Sequence, residues 1–156
     1  MRKSLLLIII LFLIIIPCVI AAQSIPTSLS ELKAYRSTFQ NIKYDAAASM
    51  KVGGVQYDKG VKVEGFSGTA YFNLNGDYSR LIGRVGLDDE TPSDAITSIS
   101  FEEDGKLLQS IKVNPGDLPV NVSLDVSGVH VLTITMPNGY RYTSGDLIDM
   151  ALGPAV

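Results

Sequence analysis

Apolar and polar residues alternate along most of this chain, and the alternation predicts short β-strands. Residues 120–126 show it most clearly, because valine or leucine fills every second position and asparagine, serine or aspartate the positions between. A period of two buries one face of a strand and leaves the other in solvent. Comparable runs predict further strands at residues 50–52, 55–57, 61–66, 69–74, 81–87, 96–102, 107–113, 129–136 and 146–152.

Short glycine turns separate these segments and favour antiparallel pairing, because glycine adopts the positive φ that tight hairpins require. The clearest turns are Gly53-Gly54, Asp104-Gly105 and Ser127-Gly128. One helical turn is predicted at residues 29–35, capped by Ser28 or Ser30 and with Glu31 in its first turn. Many short strands divided by such turns indicate an all-β fold, an antiparallel β-sandwich.

The first residues are typical of a secretory signal peptide. Arg2 and Lys3 precede an apolar run at residues 5–16, and the small residues Ala21-Ala22 follow. The run is short for a membrane span, which needs about 20 apolar residues. We therefore expect a secreted or cell-surface protein with a signal helix at residues 1–22, a short tether at 23–28 and a β-sandwich domain at 29–154.

Two alternatives remain for this N-terminal segment. It could stay uncleaved as a membrane anchor, the one case in which a membrane would be a partner. It could also be lipidated at Cys18, although Pro17 stands where lipoprotein signals place a small residue. With ordinary cleavage Cys18 is lost, and the exported chain has no cysteine for a disulfide.

Composition excludes several classes of function. The 13 basic residues include Arg2 and Lys3, so the exported chain keeps 11 against 16 acidic residues, which disfavours nucleic acid as a partner. The one histidine, His130, is predicted on the apolar side of its strand with Leu132 and Ile134. A histidine-assisted nucleophile and a typical zinc site are therefore unsupported, and we expect no enzyme.

Two acidic clusters, Asp88-Asp89-Glu90 and Glu102-Glu103-Asp104, have three interpretations. They could supply the acid and base of a glycosidase, although a small sandwich offers little cleft. They could hold a structural calcium ion, since hard cations take oxygen ligands. They could simply be solvated loops. We expect no cofactor, with structural calcium as the open exception.

Strand reversal predicts which loops meet. If successive strands alternate in direction, loops 67–68, 88–94, 114–118 and 137–140 share one end of the sandwich, where binding residues commonly lie. Sugar recognition combines planar hydrogen-bonding groups with an aromatic face. The predicted ligand-binding residues are Asp88, Asp89, Asn138, Tyr140, Arg141 and Tyr142. Alternatively, the two tyrosines pack as ordinary strand residues, and the chain has no tryptophan to stack on a sugar.

A motif at residues 71–90 resembles a known family. Tyr71, Leu74 and Gly76 precede Tyr78-Ser79-Arg80, and Val85-Gly86 precede Asp88-Asp89. The order is similar to that of the NPCBM/NEW2 family of carbohydrate-binding modules, which accompany secreted glycosidases. Further similar segments follow the family's order at residues 29–32, 52–60, 103–106 and 124–128.

The resemblance implies a galactose-binding-like jelly roll and a glycan as ligand. The chain departs from the family in two places: residues 61–64 lack a histidine that often follows the hairpin glycine, and Leu147 stands where many members have tryptophan between Asp146 and Asp149. The first hypothesis is a non-enzymatic, secreted carbohydrate-binding module. The alternative is an extracytoplasmic structural or protein-interaction domain that has lost sugar binding, with another secreted protein as partner.

Overall fold

The computed structural model of the protein describes residues 25–137 and 139–155, which form thirteen strands, one α-helix and one 3-10 turn. Their bounds are β1 Thr27–Ser28, α1 Leu29–Leu32, β2 Arg36–Ser37, β3 Asn41–Tyr44, the 3-10 turn Asp45–Ala47, β4 Met50–Val52, β5 Val55–Tyr57, β6 Gly60–Gly65, β7 Gly68–Asn73, β8 Tyr78–Leu87, β9 Thr97–Glu103, β10 Lys106–Val113, β11 Val120–Asp125, β12 Val131–Met136 and β13 Thr143–Pro154.

Two antiparallel sheets pack face to face and confirm the predicted sandwich. The larger sheet has the order β11-β8-β13-β6-β3, with β1 added beside β13, and the smaller has the order β10-β9-β12-β7-β2. Their inner faces meet in one core, in which Val63, Phe72, Phe101, Ile134 and Leu147 are fully buried. Apolar burial of this kind is the main favourable contribution to folding.

The hairpin of β4 and β5 covers part of the outer face of the larger sheet. Gly53 and Gly54 adopt positive φ at its tip, as the sequence predicted. Met50 and Val52 pack on Ile148 in a second small apolar cluster. The close contact between the hairpin and β8 requires glycine at position 86, because an added Cβ there would lie only 2.6 Å from Val52 Cγ1. As a result, the outer side of β6 is buried as well as its inner side.

The start of the described chain differs slightly from the prediction. Ser28 caps α1 in a capping box with Glu31, as expected of one of the two candidate serines. Thr27–Ser28, predicted as the end of a tether, instead pair with β13. The predicted signal at residues 1–22 lies outside the described residues. Within residues 25–137 and 139–155, no helix is long and apolar enough to cross a membrane.

His130 does not lie on an apolar face, which corrects the prediction made for it. It is exposed, whereas Val129 is buried with 2% of its surface accessible. The reason is that β12 begins only at Val131, and the preceding residues form a turn in which strand alternation does not hold. The backbone N–H groups of His130 and Val131 donate to the carboxylate of Asp104.

Candidate functional site

Several loops meet at one end of the sandwich, which we call the loop end. It contains the loops at 66–67, 88–96 and 114–119, residues 137 and 139–142, and the tip of the β4–β5 hairpin. Gly139 N donates to Phe66 O over 2.8 Å, and Gly54 N donates to Asp89 Oδ2 over 2.9 Å. These contacts join loop 66–67 to Gly139, and loop 88–96 to the tip of the β4–β5 hairpin, at the end where these loops were expected to meet.

Tyr140 and Arg141 are both held by Asp94 across the loop end. The hydroxyl of Tyr140 donates to the backbone carbonyl of Asp94, and Arg141 Nε donates to Asp94 Oδ2 over 2.9 Å. The guanidinium of Arg141 also lies 5.4 Å from the centre of the Tyr140 ring. Tyr140 nevertheless keeps 63% of its surface exposed. An aromatic ring is thus fixed in position and accessible to a ligand.

The opposite charges of Asp94 and Arg141 stabilise each other. Hydrogen bonding from Arg141 is the main reason why the pKa of Asp94 lies below its ordinary value. The same contact raises the pKa of Arg141. Both side chains are about half exposed, so solvent screens the pair and limits its value for stability.

Tyr142 lies beside this cluster but is tied to other residues. Its ring meets Phe66 edge to face, with ring centres 5.7 Å apart. Its hydroxyl accepts a hydrogen bond from Asn41 Nδ2 over 3.1 Å. Tyr142 is 36% exposed and Phe66 47% exposed, so the two rings form a partly accessible aromatic surface next to Tyr140.

Asp88, the first predicted ligand-binding residue, is buried and serves the fold. Only 1% of its surface is accessible, and its Oδ2 lies 2.8 Å from Lys62 Nζ in an ion pair. Its carboxylate also accepts from the backbone N–H groups of Lys51 and Glu90. Because every one of these contacts is internal, Asp88 fastens the β4–β5 hairpin to the larger sheet and does not face a ligand.

The ion pair keeps both of its members charged. Burial acts to raise the pKa of Asp88, but the hydrogen bonds from Lys62, Lys51 and Glu90 outweigh it and the pKa is lowered. Burial likewise acts to lower the pKa of Lys62, and the contact with Asp88 and the negative charges around it leave the pKa raised. Removing either partner would leave the other charge buried without compensation.

Asp146 lies beside this pair and is fully buried. It is the register partner of Lys62 on β6, and neither of its carboxyl oxygens has a hydrogen-bond partner among the described residues. Burial, followed by the proximity of the Asp88 carboxylate, raises the pKa of Asp146 to about 9. The raised pKa favours the protonated form of Asp146 at neutral pH, and a neutral carboxyl does not act as a charged ligand.

The remaining predicted residues have mixed positions. Asp89 is exposed at the loop end, with one carboxylate oxygen taken by Gly54 N. Asn138 lies outside the described residues. Leu147, which stands where tryptophan occurs in the resembling family, is fully buried in the core between the sheets. That position on β13 therefore points away from solvent in this protein.

The acidic clusters do not form a metal site in this structure. Within residues 25–137 and 139–155, no group of three or more acidic, histidine or cysteine side chains is placed to hold a metal ion. Asp88 is occupied by Lys62, and Asp104 accepts from two backbone N–H groups. In each cluster, one carboxylate that could bind calcium is therefore already engaged in a contact within the fold.

Two important residues were missed at the sequence level. Asp94 lies in a loop expected to matter but was not selected, and its pairing with Arg141 depends on two loops 47 residues apart in sequence. Lys62 alternates with Val61 and Val63, a pattern that predicts a solvent-facing lysine. A lysine inside such an apolar segment could have suggested a buried ion pair, but the sequence does not show which acidic residue is the partner.

Comparison with protein families gives one match. The family model NPCBM/NEW2 domain matches residues 24–152, which is most of the chain. A comparison with curated protein sequences finds no match.

Solved structures share the fold at low sequence identity. A CBM51 of GH95 from Clostridium perfringens, in complex with methyl-galactose, has a TM-score of 0.69 at 20% identity, covering 82% of this chain and 99% of that one. The CBM51-2 and INT domains of Clostridium perfringens ZmpB also give 0.69, at 15% identity over 84% of this chain and 32% of the other. Tandem CBM51 modules of Sp3GH98, a family 98 glycoside hydrolase from Streptococcus pneumoniae, give 0.68 at 15% identity over 82% and 47%.

The lengths covered differ among these structures. This chain spans about a third of the ZmpB chain and about half of the tandem modules, but nearly all of the GH95 module. At such identities the likeness is one of fold.

Proposed function

The chain belongs to the NPCBM/NEW2 domain family, and on that premise we propose that it is a non-enzymatic, secreted carbohydrate-binding module. Its partner would be a glycan at a cell surface or in the environment, held at the loop end. Support comes from the fold shared with a module solved in complex with methyl-galactose. Secretion rests on the predicted signal peptide at residues 1–22.

The observation that carries this proposal is the exposed and fixed ring of Tyr140. A sugar presents an apolar ring face that packs on an aromatic side chain, and hydroxyls that need planar hydrogen-bonding partners. Tyr140 is 63% exposed, its hydroxyl donates to the backbone carbonyl of Asp94, and the guanidinium of Arg141 lies 5.4 Å from the centre of its ring. A preorganised ring loses little conformational freedom when a ligand binds.

The contacts of Asp88 and Asp94 favour a role in binding over a role in catalysis. A glycosidase needs one carboxylic acid and one carboxylate facing the same bond. Asp88 is buried in an ion pair, and Asp94 is engaged by Arg141. Neither of these two carboxylates is free to donate a proton to a leaving group, which supports the proposed non-enzymatic role.

A second candidate function is an interaction domain for another secreted protein. It is favoured by the pairing of Arg141 with Asp94, which satisfies the planar hydrogen-bonding groups before any sugar arrives. The absence of tryptophan favours it as well. Under this alternative, the exposed Phe66, Tyr140 and Tyr142 would contact a protein surface.

Replacing Tyr140 by alanine should weaken glycan binding by about tenfold, because stacking and ring burial are both lost. The purified protein without its predicted signal peptide is applied to a glycan array and to insoluble polysaccharides, with calcium or with a chelator. Ile82→Ala serves as a matched control, since Ile82 is also large and 49% exposed but lies on the larger sheet.

Selective retention that Tyr140→Ala weakens and Ile82→Ala leaves unchanged would support the loop-end site. Retention lost in chelator would bring a calcium ion back into the site. Absence of retention on every glycan, from protein whose circular dichroism shows β-structure, would reject sugar binding in favour of the interaction domain.

A further inference from the structure

The outer face of the smaller sheet carries an open groove of about 690 Å³. Tyr35, Thr69, Tyr71, Glu102, Thr133 and Thr135 are among the residues that line it. Small-molecule sites commonly have volumes of about 300–1,000 Å³, so the groove is large enough for a ligand. None of these residues belongs to the loop end, and none is among the six predicted ligand-binding residues.

Strand register arranges the side chains of this face in two rows that cross the strands. The first row follows the pairs Arg36–Tyr71, Tyr71–Thr133 and Thr133–Glu102. Adjacent strands lie about 4.8 Å apart, so a row over four strands is roughly 14 Å long. It presents a guanidinium, an aromatic ring, a hydroxyl and a carboxylate in that order.

The second row lies two residues further along the strands and consists only of hydroxyl side chains. Its register pairs are Thr69–Thr135, Thr135–Ser100 and Ser100–Ser110. The Oγ1 atoms of Thr69 and Thr135 are 3.2 Å apart, and the Oγ atoms of Ser100 and Ser110 are 2.9 Å apart. A hydroxyl both donates and accepts, so each pair keeps capacity for a ligand.

Two tyrosines form a wall at the β2 side of the groove. Tyr35 is 60% exposed, and its ring centre lies 6.2 Å from that of Tyr71. The guanidinium of Arg36 lies 5.3 Å from the centre of the Tyr71 ring and fixes its position. An aromatic surface thus stands directly beside hydroxyl and carboxylate groups.

We propose that this groove binds a stretch of an extended, neutral glycan that lies across the strands of the smaller sheet. Tyr35 and Tyr71 pack against sugar rings, while Glu102 and the hydroxyl row bond to sugar hydroxyls. The inference rests on the proposed function, namely that the chain recognises glycans. It adds a second site, which takes a chain of several sugars.

The chemistry of the face favours a neutral glycan over other ligands. Inside a sheet the backbone donors and acceptors pair with one another, so a ligand on the face meets side chains alone. Glu102 opposes the charge of Arg36 within one row, so the face offers no net positive field to an anionic polysaccharide. A row of hydroxyls offers a protein partner little apolar surface but suits a polyhydroxylated chain.

The test compares sugar length with variants at each site. Calorimetric titrations of the purified protein use β-1,4-linked hexasaccharides of glucose, galactose and N-acetylglucosamine, and the three corresponding monosaccharides. Tyr35→Ala and Glu102→Gln alter the groove at partly or largely exposed side chains and spare the core. Tyr140→Ala alters the loop end, and each variant is first shown to unfold at the wild-type temperature.

At least one hexasaccharide should bind the wild type tenfold or more tightly than its monosaccharide. Tyr35→Ala should reduce that affinity about tenfold and Glu102→Gln several-fold, with no effect on monosaccharide binding. If both groove variants bind every sugar as the wild type does while Tyr140→Ala loses affinity, the groove inference is overturned and the proposed function stands. If the wild type binds none of the six sugars, the groove inference is overturned, and the proposed function is judged separately by retention on the glycan array.

Discussion

Replacing Lys62 by methionine is expected to lower the free energy of unfolding by about 3–5 kcal/mol, the usual cost of leaving a buried charge unpaired. Lys62 Nζ lies 2.8 Å from Asp88 Oδ2, and the two side chains are 4% and 1% exposed. Methionine matches the length of the lysine stem, so the effect reports the lost charge more than a cavity. Urea denaturation at pH 7 measures it.

Three further variants make this prediction specific: Lys112→Met, Asp88→Asn, and the double variant that combines Lys62→Met with Asp88→Asn. Lys112→Met removes an exposed lysine from β10 and should change stability by less than about 0.5 kcal/mol. Adding Asp88→Asn to Lys62→Met removes the orphaned charge and should restore part of the loss, since an amide oxygen still accepts one backbone hydrogen bond. If the double variant is as unstable as the sum of the singles, the two residues are not coupled and the ion pair does not carry the effect.

The strands were predictable because one buried face imposes a period of two. Residues 120–126 gave β11 almost as observed, and Gly53-Gly54 gave the tip of the β4–β5 hairpin. By contrast β2 has two residues, too few for a pattern, and it is ordered by pairing with β7. The order of strands within each sheet depends on contacts between distant segments, which no local pattern reports.

The burial of Lys62 and Asp88 shows where a local pattern fails. Lys62 alternates with Val61 and Val63 and should face solvent on the outer side of a sheet, and Asp88 begins an acidic loop after β8. The β4–β5 hairpin folds over that side and turns it into a second interior. An acidic triplet that reads as a solvated or metal-binding loop therefore contributes its first carboxylate to a buried ion pair.

The sequence predicts Tyr140 as a ligand-binding residue, but it does not predict the groove on the smaller sheet. Tyr140 was selected because its loop had to lie at one end of an antiparallel sandwich, a consequence of chain direction alone. The hydroxyl positions of β7 and β12 were visible as every second residue, but their alignment across four strands was not. To predict a row of side chains across a sheet, one must know the register in which its strands pair, and no local sequence pattern shows that register.

Raising the pH from 5 to 9 is expected to destabilise the wild type relative to Asp146→Asn. Asp146 is fully buried, and its pKa is raised from 3.8 to about 9. Between those values the folded protein holds a proton that the unfolded chain releases. The stabilisation is therefore complete below pH 3.8 and is lost as the pH rises towards 9, with a limiting slope of about 1.4 kcal/mol per pH unit.

The asparagine variant is the right comparison because it resembles the protonated acid and does not titrate. The titration of Asp88 does not interfere with this comparison, because its lowered pKa changes the free energy of unfolding only below pH 5. Urea unfolding of both proteins at each pH unit should give a difference in stability that shifts steadily in favour of the variant. Asp77→Asn removes an exposed carboxylate and should leave the wild-type profile unchanged. Parallel profiles for wild type and Asp146→Asn would mean that Asp146 is already ionised in the folded protein, paired with Lys62 in place of a proton.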